Sequence, residues 1–112
     1  MIEQTEALAV IDVNTGKYDA KKGIPEETYY KINLEAAKEI AFQLRLRNLS
    51  GIIVVDFINM EQKEHKDILL KAFTEFLQKD ANPCRVLGFT RLGLVEITRK
   101  KKDKTIYEQI LV

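Results

Sequence analysis

Two carboxylates stand where an apolar strand would not ordinarily carry them. In AVIDVNTGK, residues 9–17, Asp12 sits near the end of an apolar run and Asn14 follows two positions later, ahead of a turn. In IIVVDFINM, residues 52–60, Asp56 repeats the arrangement. Placed at the C-terminal ends of neighbouring strands, the two would share the edge at which open α/β sheets bind ligands. Side by side they would repel, and a cation between them would relieve that repulsion. Mg²⁺ suits such donors: it is hard, takes oxygen ligands and is commonly held by one or two carboxylates plus waters. In an extended strand Asn14 shares a face with Asp12 and could add an amide to the same site. The plainer alternatives stay open. Either Asp alone reads as a cap for the next turn, and Asn14 before Thr15 and Gly16 reads as a turn residue. His65 is the only histidine and reads as solvated on a charged helix face, while Cys84 is the only cysteine and reads as a small packing residue. Zinc chemistry is not expected from that inventory.

The elements that must position these residues follow from patterning. EALAVIDV, residues 6–13, reads as a strand stopped by NTG. Residues 17–25 read as a loop or hairpin, with Gly16, Gly23 and Pro25 as punctuation. NLEAAKEIAFQLRLRNL reads as a long helix with Asn33 as its N-cap; Leu34, Ala37, Ala41 and Leu44 fall on one face, and Ser50 and Gly51 end it. IIVVDF, residues 52–57, is apolar on both parities, which predicts a central strand covered on both faces. Residues 61–80 form a second predicted helix, with Ile68, Leu69, Ala72, Phe73, Phe76 and Leu77 as its apolar stripe. RVLGF and LVEIT are short strands joined by TRLG. Strands alternating with helices imply an α/β fold: a single domain, with a mixed β-sheet and flanking helices. The final TIYEQILV is apolar enough to be ordered, with no element type assigned.

Composition bounds the rest. With 112 residues the chain fits one domain, and its 46% apolar and 31% charged residues are a normal globular balance. No run reaches the length of a membrane helix, and the acidic, polar start MIEQTEAL is no secretory signal, so a cytoplasmic protein is expected. A net charge of +1 hides a local +4 in RKKKDK, residues 99–104, which suits either a solvated turn or a polyanion partner.

Three stretches carry a more specific signal. EQTEALAVIDVNTGKY, INLEAAKEIAFQLRLRNLSGIIVVDFINM and RVLGFTRLGLVEITRK resemble the catalytic region of the ribonuclease E/G family, over about residues 3–101. The resemblance implies a DNase I-like subdomain with a ribonuclease H-like sheet, spanning residues 1–112. It implies that Asp12 and Asp56 are Mg²⁺ ligands and that Asn14 supports the site. It implies endonucleolytic cleavage of single-stranded, often A/U-rich RNA to 5′-phosphate and 3′-hydroxyl ends, in RNA processing (ribosomal RNA included) and decay. Metal-assisted hydrolysis agrees with the residues, because a cation on two carboxylates can activate water and neutralise a phosphate oxygen. Arg45, Arg47, Arg91, Arg99 and the lysines from Lys100 to Lys102 are candidates for salt-sensitive backbone contacts to RNA. Phe57 and Phe89 could stack on a base, with core packing as the competing role. The family motif DFIDM reads DFINM here, so Asn59 stands where the family has an acid, and tuning of the site is expected. The family's S1-type RNA-binding region and its zinc-binding Cys-pair motif are not in this sequence, so a fragment of a larger, homo-oligomeric enzyme is expected. Two other readings compete: a receiver-type phosphoacceptor domain with Asp56 as acceptor, against which no acidic neighbour flanks Asp12, and an RNA-binding module that does not turn over.

Overall fold

Side-chain alternation along the strands decides which face of the sheet meets the helices. The computed structural model describes residues 2–5, 8–13 and 23–101. Its elements are β1 (Ile2–Thr5), β2 (Leu8–Asp12), α1 (Glu26–Arg47), β3 (Gly51–Asp56), α2 (Lys63–Leu77), β4 (Cys84–Phe89) and β5 (Val95–Arg99). The sheet has five strands in the order β1-β2-β3-β5-β4. β2 and β3 are parallel and joined through α1; the remaining pairs are antiparallel. This is the expected α/β fold with a mixed sheet and flanking helices. The antiparallel β5 and β4 also depart from the all-parallel sheet of a receiver domain.

Alternate residues Ala9 and Ile11, Ile53 and Val55, and Val95 and Ile97 are buried. They form one core with Ala37, Ile40, Ala41 and Leu44 of α1 and Leu69, Phe73 and Leu77 of α2. The helix residues recur every three or four positions, so each helix offers a single apolar stripe. Both stripes pack on the same side of the sheet. The expectation that β3 is covered on both faces is therefore corrected: Ile52 is 43% exposed, and Leu8, Val10 and Leu87 share the open face. The both-parity apolar pattern of β3 reflects its central position, with only one face under helices among the described residues.

Asn33 is not a helix cap. α1 begins seven residues earlier, after Pro25, with Glu26 and Glu27 in its first turn. Pro25 is the extended N-cap, and the acidic first turn suits the helix macrodipole. Asn33 is fully buried mid-helix. Its side-chain amide donates to the Ile58 carbonyl at 2.9 Å, and its Oδ1 accepts from the Ile58 N–H at 3.0 Å. Both backbone groups of the segment after β3 are thereby satisfied. Asn33→Ala leaves two buried backbone groups unpaired, and a loss of about 3 kcal/mol is expected in urea unfolding; an unchanged midpoint would mean that water replaces the amide.

α1 ends at Asn48 in the left-handed conformation, with φ 51°. β4 carries an irregularity between Val86 and Gly88, after which Phe89 again packs toward the core. Bulges of this kind re-aim side chains beside functional edges. The turn from β4 to β5 closes with the Thr90 N–H donating to the Leu94 carbonyl at 2.7 Å, and Gly93 supplies its positive φ of 82°.

Candidate metal and nucleic-acid site

The parallel register sets the site. β2 and β3 pair Leu8 with Ile52 and run in step to Asp12 with Asp56. The two aspartates are therefore Cα partners on adjacent strands, roughly 4.8 Å apart by strand spacing. Both lie on the parity of Leu8, Val10 and Ile52, the face that no helix of the described residues covers. Asp12 is exposed and Asp56 half-buried. The strand ends are stitched by the Val13 N–H donating to the Asp56 carbonyl at 2.9 Å. Asn14, the third expected member of the site, lies outside the described residues.

The donor chemistry fits a hard cation. Two carboxylates on one face favour a divalent ion that keeps several waters. No group of three or more His, Cys, Asp or Glu side chains gathers for a metal among the described residues.

The segment after Asp56 is held from α1. The Glu61 N–H donates to Glu26 Oε1 at 2.7 Å and the Gln62 N–H to Oε2 at 3.1 Å. His65 Nδ1 lies 2.6 Å from the same Oε2, and its ring stacks on Tyr30 with centroids 4.3 Å apart. His65 is thus not the solvated residue expected from its helix face; its side chain is 13% exposed. Burial opposes ionisation of Glu26, but the hydrogen bonds from Glu61, His65 and Gln62 outweigh it and hold the carboxyl below the usual carboxylate range.

The expected RNA-contact cations separate by edge. β5 runs antiparallel to β3, with Val95 against Val55, so the turn bearing Arg91 lies at the aspartate edge. Arg91 is exposed there. Arg45 and Arg47 end α1, and Lys100 follows β5, so all three lie at the opposite edge, ~17 Å away along the strand. Arg45 lies over the Phe42 ring and Arg47 bonds Gln43. Arg99 is corrected outright. Although it opens the basic run, it shares the core-facing parity of Val95 and Ile97 and is 3% exposed. Its guanidinium pairs with Asp80 through Nε at 2.7 Å and NH2 at 3.2 Å, and NH1 donates to Asn48 Oδ1 and the Leu49 carbonyl. No surface cation remains at that position. Lys102 and the rest of the basic run lie outside the described residues.

Phe57 is core: it is 3% exposed and meets Phe73 edge-on at 5.8 Å. Phe89 is half-buried and lines a cavity of about 180 Å³ with Asp56, Asn59, Lys66, Leu92 and Gly93, among others. Lys66 escaped the sequence reading because one lysine on a charged helix carries no spacing signal. Cys84 is half-buried, and burial first, then the charge of Asp80, pushes its thiol up to about 11. It stays protonated and unreactive at neutral pH.

Comparison with known proteins gives a consistent answer. A model of the ribonuclease E/G family matches residues 1–102. Ribonuclease G of Haemophilus influenzae is 47% identical over 106 residues, covering 95% of this chain and 21% of that protein. Ribonuclease E of a Nostoc species is 48% identical over 108 residues, 96% of this chain and 16% of its own length. A ribonuclease E/G-like protein of Porphyra purpurea is 41% identical over 109 residues. The chain spans about a fifth of the length of the curated relatives it matches.

Proposed function

Since this chain belongs to the ribonuclease E/G family, we propose that it carries the metal-holding carboxylates of an endoribonuclease that hydrolyses single-stranded RNA. The observation that carries this reading is the pairing of Asp12 with Asp56 on one open face at the C-terminal edge of parallel strands. Asp12 and Asp56 would hold Mg²⁺, with Asn14 supporting them. When bound, the ion would supply water activation and relief of phosphate charge. The chain's own residues do the rest. The sheet fixes the two carboxylates side by side. Glu26 and Asn33 hold the backbone that leaves Asp56. Arg91, exposed at the same edge, attracts the RNA backbone in a salt-dependent manner. Preference for A/U-rich segments, 5′-phosphate and 3′-hydroxyl products, and a role in cytoplasmic RNA processing and decay complete the proposal. No helix among the described residues is long and apolar enough to cross a membrane.

The test is cleavage of a 5′-monophosphorylated, A/U-rich single-stranded RNA by this chain, with product ends mapped. Cutting with Mg²⁺ and none with EDTA is the expected result. Cutting that persists in EDTA would sink the metal reading. RNA binding without cutting would assign the chain a binding role that needs other parts of a longer protein to turn over.

A further inference from the structure

The cavity beside Asp56 has a composition that the carboxylate pair does not explain. Its volume of about 180 Å³ equals that of on the order of six waters, the scale of one base rather than of a base pair. Its lining includes the run from Asp56 to Met60, in and beside which Asn33 and Glu26 hold Ile58 and Glu61. Leu92 and Gly93 of the β4–β5 turn, Phe89 and Lys66 complete the lining. Lys66 places its ammonium 5.8 Å from the centre of the Phe89 ring, and among the described residues no carboxylate pairs with it. Leu92 is 86% exposed, in a turn where polar residues are the rule. Asn59 is exposed at the rim and offers an amide that both donates and accepts.

A cation, an amide and an apolar clamp around a base-sized hollow are what a nucleotide requires. The cation meets phosphate, the amide meets a base edge, and aliphatic and aromatic surfaces cover a base face. Asp56 lines the hollow and also pairs with Asp12, so an occupant here lies directly beside the carboxylates. We infer that this cavity seats one nucleotide of single-stranded RNA next to the phosphate to be cut, with Lys66 on a phosphate, Asn59 on the base edge, and Leu92 and Phe89 against the base. Lys66, Asn59 and Leu92 are positioning residues. The inference rests on the reading of the chain as a nuclease subdomain and deepens it by assigning the substrate's place. It also gives Asn59 a use: its amide can both donate to and accept from a base edge, whereas a carboxylate can only accept.

The experiment keeps binding separate from cleavage. The ¹⁵N-labelled chain is titrated with the ribodinucleotide UpA in EDTA, and amide shifts are followed; inorganic phosphate serves as the comparison ligand. Shifts are expected at residues 57–60 and 89–93, with none at Ser50, Gly51 or Lys101 on the far edge. Lys66→Gln and Leu92→Ser are each expected to weaken UpA binding by about tenfold. Leu92 is exposed and Lys66 is half-buried at the cavity outside the core, so the variants are expected to fold, and their spectra verify it. The inference is overturned if UpA gives no shifts at millimolar concentration, if the shifts gather at the far edge, if both variants bind like the parent, or if phosphate alone reproduces the pattern. Failure of the nuclease reading would appear instead as missing Mg²⁺-dependent cutting, which this titration does not measure.

Discussion

Asp12→Asn and Asp56→Asn are each expected to lower Mg²⁺-dependent RNA cutting by more than about a hundredfold, because even residues that merely orient a metal ligand contribute 10–100-fold. The two positions are register partners, so each removes one of two adjacent anionic donors from the same edge. An amide oxygen still coordinates, but it brings no charge, and the attraction for a divalent cation falls accordingly. Asp12 is exposed, so its replacement is expected to change stability by no more than about 0.5 kcal/mol. RNA binding in EDTA is expected to persist or to strengthen slightly, since an anion that repels phosphate has gone. Cutting rate against Mg²⁺ concentration, with a parallel thermal melt and filter-binding assay, separates these effects. Full activity in either variant would disprove the metal assignment; loss of fold together with activity would make the aspartates structural.

The largest expected change in stability lies at the other end of the sheet. Asp80→Ala removes the carboxylate that neutralises Arg99, while the guanidinium stays buried; the two side chains are 3% and 2% exposed. Breaking a buried pair from one side costs about 3–5 kcal/mol. That is a large fraction of a domain's total of about 5–15 kcal/mol. The hydrogen bonds to Asn48 and Leu49 remain and keep the cation in place, so it cannot escape to water without opening the end of α1. Asp80→Ala with Arg99→Met is expected to recover most of the loss, because an apolar replacement needs no counter-ion. Urea unfolding of the single and double variants measures both effects; equal losses in the two would show that packing, not charge, is at stake.

The same carboxylate gives the fold an acid limit. Burial alone would raise Asp80, but the Arg99 hydrogen bond, the Asn82 N–H and the Arg99 charge lower it on balance. Glu26 is lowered as well. A group whose folded-state pKa lies below its unfolded value contributes stability that is complete above the unfolded value, about pH 4 here, and that disappears as pH falls through the folded value. Stability is therefore expected to decline on acidification below about pH 4, with a shallower decline in Asp80→Ala.

How much of this was legible depended on the range of the interaction. The aspartates stood out because a charge in an apolar run is conspicuous within nine residues. That they share an edge was expected, but their residue-for-residue register was not legible, since it is a contact between strands separated by the whole of α1. Asn33 read as a cap because it preceded an apolar periodicity, while Pro25, Glu26 and Glu27 carried the stronger start signal a few residues upstream. Its true role depends on Ile58, 25 residues away, and no local pattern reports it. Arg99 read as part of a charge run; the alternation of Val95, Ile97 and Arg99 contained the correct answer, but composition masked it. The candidate RNA-contact cations also read as one set, whereas the antiparallel turn sends Arg91 to one edge and Lys100 to the other.

Glu26 and Asn33 are two helical turns apart, and they grip the backbone at Ile58, Glu61 and Gln62. One grip would leave the strand exit free to pivot; two remove the pivot. The order of assembly follows from this. The contacts close loops of 25 to 36 residues, so α1 must already be formed and docked before the exit from β3 can set. In stopped-flow refolding, Asn33→Ala is expected to accelerate unfolding while leaving the folding rate nearly unchanged. A slowed folding arm would place this junction in the nucleus instead. Sheet and core can thus form before the exit from β3 is pinned, and the last contacts to set are those that follow Asp56 at the candidate edge.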